Sequence, residues 1–233
     1  MPTRLLIFDF DGLVLDTESP ELAAWQEVYR QRGVELPLAR WYDCIGRRHA
    51  YFDPYTHLAQ LTRRPVDRDA IRSFRKARRT EILATADLRP GVRDYLEQSR
   101  RMGLKRAIAS SSTHEWVEGY LTRFGVLDAF DALVCAEDTT AHKPDPAPYL
   151  EALRRLEIHP EHAIALEDSP NGIAAARAAG IFTVAVPNDV TRHLSMAGAN
   201  LVLHSLADMP LTQLLKVRSS PRAVACLCEE PQP

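Results

Sequence analysis

Six short apolar, β-branched runs recur along the chain, at 5–8, 106–109, 132–135, 163–166, 182–186 and 201–203. None carries an alternating polar face, which is the pattern of strands covered on both sides. Between most of them there is room for a helix. Strands alternating with helices predict an α/β fold: a Rossmann-like parallel sheet with helices on both faces.

The spacing is uneven in one place. Roughly 95 residues separate the first two runs, where a plain crossover unit needs about 30. The excess, about 16–88, reads as helical. Leu22, Trp25, Val28 and Tyr29 form one stripe over 21–32, and Ile71, Phe74, Ile82 and Leu83 another over 69–84. The expected organisation is a core of 1–15 and 89–217 with a small all-α cap, 16–88, inserted after the first strand. Leu88-Arg89-Pro90-Gly91 serves as the return linker. The end, 218–233, lacks periodicity and reads as a disordered tail.

Composition narrows the class. The chain has 233 residues, 45% hydrophobic and 26% charged, with net charge −2, the profile of an ordinary globular protein. Without a basic excess, no nucleic-acid partner is expected, and monomer is the default. The apolar stretch Leu5 to Phe8 is broken by Asp9, too short for a membrane span or signal peptide. Cys44, Cys135, Cys226 and Cys228 show no disulfide framework, which points to a reducing, cytoplasmic setting. The arginine-rich stretch 63–79 reads first as a solvated helix face and second as a positive rim for anionic substrates.

The chemistry gathers where strands end. Phe8-Asp9-Phe10-Asp11-Gly12 runs an apolar strand into two carboxylates and a glycine. In open α/β sheets, ligands bind beyond the carboxyl ends of the strands. A second strand, at 163–166, ends in Glu167 and Asp168, with Ser169 placed to cap the next helix. Carboxylates gathered at one sheet edge repel unless a cation or a proton neutralises some of the charge, and oxygen-only donors suit Mg²⁺. Lys143, in His142-Lys143-Pro144-Asp145-Pro146, would offset them and hold a phosphate. Ser110, Ser111, Ser112, Thr113 and His114 follow the second strand, where hydroxyls and backbone N–H groups at a helix start make an anion seat.

These four segments, in this order, resemble the motifs of the haloacid dehalogenase superfamily over nearly the whole chain. The helical insert resembles the cap of its β-phosphoglucomutase-like branch. The resemblance implies Asp9 as nucleophile, Asp11 as acid/base, Ser110 and Lys143 as phosphoryl-group ligands, and Mg²⁺ held by Asp9, Asp11, Glu167 and Asp168. It implies a phosphatase acting on a small phosphorylated metabolite. Polar residues at the cap, Thr17, Glu18, Glu21, Gly46, Arg47, Arg48 and His49, together with Ser111, Ser112 and His114, would read a sugar or sugar-alcohol phosphate. Mutases of this branch resemble one another in a Lys-Gly loop, an Arg three residues after that Gly, and a His four residues after the Thr. Here Ile45, His49 and Glu21 stand at those places. A phosphosugar mutase is thus the alternative, and a non-catalytic sugar-phosphate-binding protein the reading of another class.

Overall fold

β1 (Leu5–Phe8) is buried along its whole length. Leu6 and Phe8 join one apolar cluster, while Leu5 and Ile7 join another on the opposite face. That alternation explains why the run has no polar side. The computed structural model describes residues 2–44 and 52–219. Five further strands, β2 (Lys105–Ala109), β3 (Ala132–Val134), β4 (Ala163–Glu167), β5 (Phe182–Ala185) and β6 (Leu201–Val202), complete a parallel sheet in the order β3-β2-β1-β4-β5-β6.

Helices cover both faces. Helix α5 (Val92–Arg101), α6 (His114–Arg123) and α9 (Leu211–Ser219) pack through Tyr95, Leu96, Val117, Leu121 and Leu214 on one side. On the other, α7 (Ala147–Leu156) and α8 (Pro170–Ala178) pack through Tyr149, Leu153, Ala175 and Ala176. The small alanines let α8 lie close to the sheet.

The remaining helices, α1 (Glu18–Arg30), α2 (Leu38–Cys44), α3 (Pro54–Thr62) and α4 (Arg68–Leu83), all fall between β1 and β2. They gather around their own apolar cluster, which includes Trp25, Tyr29, Trp41, Leu58 and Ile71. Two arginines secure the return path. Arg123 Nη1 donates to the Leu83 carbonyl at 2.7 Å. Arg89 donates to the carbonyls of Gly12, Val186 (3.0 Å) and Pro187 (2.9 Å).

Element boundaries move by a few residues. Helix α1 starts at Glu18 rather than 21 and ends at Arg30, because Gly33 turns left-handed just beyond. β4 runs one residue further than expected, to Glu167. The expected tail also loses two residues to structure: Arg218 and Ser219 belong to α9, whose Val217 is buried against the core. The rest of that tail lies outside the described residues.

Candidate active site

All six strands are parallel, so their carboxyl ends share one edge. Strand order reverses at β1, between β2 and β4. At such a switch point the two following loops diverge and leave a crevice. Asp9 and Asp11 leave β1 there, Ser110 follows β2, and Glu167 and Asp168 end β4. Gly12 turns the chain away at φ +86, and any Cβ there would strike the Asp168 carboxylate. Only glycine allows the first loop to pass this close.

Lys143 ties the edge together. Its Nζ lies 2.5 Å from Asp9 Oδ1 and 2.6 Å from Glu167 Oε1, with all three side chains nearly sealed from solvent. The Tyr149 hydroxyl, from α7, also donates to Glu167 Oε1 at 2.5 Å. The backbone N–H of Asp168 (3.2 Å) and the Ser169 hydroxyl (3.3 Å) donate to Oε2. Both oxygens of Glu167 are thus engaged by protein donors. Asn188 Nδ2 holds Asp168 Oδ2 at 2.8 Å. Among the described residues, Asp9 Oδ2 and Asp168 Oδ1 have no protein donor.

The charges do not balance. Asp9, Glu167 and Asp168 bring ligand oxygens within 4.8 Å of one another, and Lys143 is the ammonium ion-paired with that cluster. Burial raises the carboxyls of Asp9 and Asp168 above their ordinary range, and the neighbouring carboxylates raise both further; Lys143 pulls Asp9 back only in part. Burial alone would lower the Lys143 ammonium, but Asp9 and Glu167 hold it charged. Three buried carboxylates face the Lys143 ammonium, and the Arg89 guanidinium draws the Asp168 carboxyl back only in part, so the cluster calls for a proton or a cation. Hard oxygen donors with two free carboxylate oxygens fit a magnesium-like ion.

A cavity of about 570 Å³ opens over this cluster. Among the expected residues, Thr17, Glu18, Glu21, Ser110, Ser111 and Ser112 line it with Asp9, Asp11, Lys143 and Asp168. Burial, then Asp11 and Asp16, pushes the Glu18 carboxyl up to about 7. His114 is not brought to the cavity. Its Nδ1 pairs with Glu118 at 2.8 Å and its Nε2 with Asp138 at 2.7 Å, which turns the ring toward β3. Gly46, Arg47, Arg48 and His49 lie outside the described residues.

Other residues emerge only in three dimensions. Arg79, Trp116, Asn171 and Thr191 also line the cavity. Trp116 follows the Ser110-to-His114 segment into the first turn of α6, from which its indole N–H reaches the Asp11 carboxylate. The basic stretch is largely spent on pairing: Arg68 with Asp53, Arg72 with Asp69, and Arg78 with Glu27 and Glu81. Arg75 and Arg79 turn inward instead, onto Glu21 and the faces of Trp25 and Trp116.

Residues 6–186 match the haloacid dehalogenase-like hydrolase family. YhcW of Bacillus subtilis (strain 168) is 39% identical over 212 residues, 91% of this chain and 96% of that protein. Hexitol phosphatase B of Escherichia coli (strain K12) is 31% identical, covering 92% of this chain and 98% of its own. The crystal structure of CbbY from Rhodobacter sphaeroides in complex with phosphate superposes with a TM-score of 0.69 at 28% identity, over 91% of this chain and 99% of that one.

Proposed function

The chain belongs to the haloacid dehalogenase-like hydrolase family and is an enzyme of its phosphatase kind, and from that premise we propose that it is a Mg²⁺-dependent phosphomonoesterase acting on a sugar or sugar-alcohol phosphate. The observation that carries this reading is the buried Asp9–Lys143 pair beneath a polar cavity, with one Asp9 oxygen left, among the described residues, without a protein donor.

In this reading the Asp9 carboxylate attacks phosphorus in line with the ester oxygen. A P–O bond forms to Asp9 as the bond to the substrate alkoxide breaks. Asp11 gives its proton to that alkoxide, then takes one from the water that hydrolyses the aspartyl-phosphate. Asp9 is returned as a carboxylate and inorganic phosphate leaves. Lys143 holds Asp9 in place and sets a positive charge beside the transferring group, while the Ser110 hydroxyl hydrogen-bonds a phosphoryl oxygen. Mg²⁺, held by the Asp9 and Asp168 carboxylates and the Asp11 backbone carbonyl, would neutralise charge on that group. Glu167 supports this site from behind, since its oxygens are engaged by Lys143, Tyr149, Ser169 and the Asp168 N–H.

Residues 16–88 act as a cap over the core of 1–15 and 89–217 and exclude water once substrate is seated. Glu18, Glu21, Thr17 and Ser112 offer acceptors and hydroxyls suited to a polyhydroxylated substrate. Hexitol phosphatase B, a relative over nearly the full length, supports that substrate class. The cysteine pattern supports a cytoplasmic enzyme, and we take it as a monomer.

Phosphate release from a panel of sugar and sugar-alcohol phosphates, with Mg²⁺ and beside the Asp9→Asn variant, tests the proposal. Release by the wild type alone is the expected result. Turnover by Asp9→Asn, or none by the wild type, would overturn it, and an isomerised sugar phosphate in place of released phosphate would move the assignment to a mutase.

A further inference from the structure

The Asp11 carboxyl is held by two donors from the β2–α6 segment. Trp116 Nε1 donates to Asp11 Oδ1 at 2.9 Å, and Ser112 Oγ donates to Oδ2 at 2.6 Å. The two donors differ in kind. An indole N–H can only donate, whereas a hydroxyl can donate or accept. A proton on Oδ1 would therefore point at another hydrogen and cost the half-buried indole N–H its carboxylate acceptor. A proton on Oδ2 meets no such conflict, because Ser112 can turn its hydroxyl and accept.

The indole is braced well enough to impose this choice. The Arg79 guanidinium, from α4, lies 4.8 Å from its ring centre. Tyr120 meets it edge-on at 4.8 Å, one helical turn along α6. Packing alone would have no need of an N–H aimed at a carboxylate.

We infer that Trp116 is a positioning residue for Asp11: its indole N–H reserves Oδ1 as an acceptor and so fixes Oδ2 as the oxygen that exchanges protons with the leaving alkoxide and the attacking water. The inference rests on the acid/base role of Asp11 proposed above. The proton on Oδ2 passes to the ester oxygen as the P–O bond breaks. Asp11 is then a carboxylate accepting from both Trp116 and Ser112, ready to take a proton from water on the same oxygen.

The test is Trp116→Phe, which keeps an aromatic ring between Arg79 and Tyr120 and removes the N–H. An alkoxide needs protonation as it leaves and p-nitrophenolate does not, so the two ester classes separate proton delivery from everything else. The quantity to compare is kcat/KM, which includes the step that expels the leaving group. Loss of one hydrogen bond to a charged group predicts a fall of about tenfold or more on alkyl phosphomonoesters, and less than about threefold on p-nitrophenyl phosphate. Equal losses on both classes, or no loss on the alkyl esters, would overturn the inference. Ser112→Ala gives a second readout should Trp116→Phe fold poorly: it removes the group that accepts from Oδ2–H and must show the same selectivity, and an unselective loss counts against the assignment. Failure of the wild type to release phosphate, or retained activity in Asp9→Asn, would instead sink the phosphatase reading itself.

Discussion

Gly172 and Gly119 offer a paired experiment on how tightly the carboxylate cluster is packed. Both lie in helices, in α8 and α6 respectively, and nothing stands within 4 Å of where a Gly119 Cβ would sit. Gly119→Ala should therefore gain the ordinary helix-propensity advantage, about 0.5–1 kcal/mol. The same local gain is available at Gly172, but there a Cβ falls inside 3.0 Å of Glu167 Cδ, Oε1 and Oε2. The nearest of these atoms stands so close that restoring ordinary contact requires the carboxylate to retreat by about 1.5 Å. Glu167 is completely buried, and its Oε1 is gripped by Lys143 at 2.6 Å and Tyr149 at 2.5 Å. Weakening one or two hydrogen bonds to a buried charge costs about 1.5–3 kcal/mol each. After the helix gain, Gly172→Ala should lose about 2–4 kcal/mol, and its activity should fall with the displacement of Lys143. Urea midpoints at unchanged slope measure the first effect, and phosphate release the second. A Gly172→Ala protein as stable as Gly119→Ala and fully active would refute the packing argument.

Three further outcomes follow from the same geometry. Tyr149→Phe removes a donor to buried Glu167 and should lower stability by about 1–3 kcal/mol, read by denaturant titration. Mg²⁺ should raise the melting temperature of the wild type by relieving the carboxylate cluster, whereas Asp168→Asn should raise it without metal and abolish the Mg²⁺ increment, as seen by calorimetry. For His114, burial acts to lower the imidazole pKa, but hydrogen bonds to Glu118 and Asp138 raise it above the ordinary 6.5. A raised folded-state pKa stabilises fully below about 6.5 and is lost as pH climbs through the folded value. His114→Gln should thus cost more stability near pH 5 than near pH 9, and an equal cost at both would contradict the charged-imidazole assignment.

Much of this protein could be read from residue order alone. Buried parallel strands need uninterrupted apolar runs, so Leu5 to Phe8 and its five counterparts announced the sheet, and the long gap before β2 announced the helical insert. The chemistry was legible because ligands bind where parallel strands end: Asp9, Asp11, Ser110, Glu167 and Asp168 each follow an apolar run directly. Lys143 was readable as a counter-charge, though not its pairing with Asp9 and Glu167 together. Tertiary structure alone decided the rest. Trp116, Arg79, Asn188 and Tyr149 reach the site from helices and loops whose spacing carries no functional signature, and His114, within the serine-rich segment, turns away to Glu118 and Asp138. The division has a physical cause. Strand ends and loop glycines are local features set by burial and backbone sterics, whereas the donor that holds a given carboxylate oxygen depends on how separate elements pack around it, and nothing in one segment encodes the approach of another.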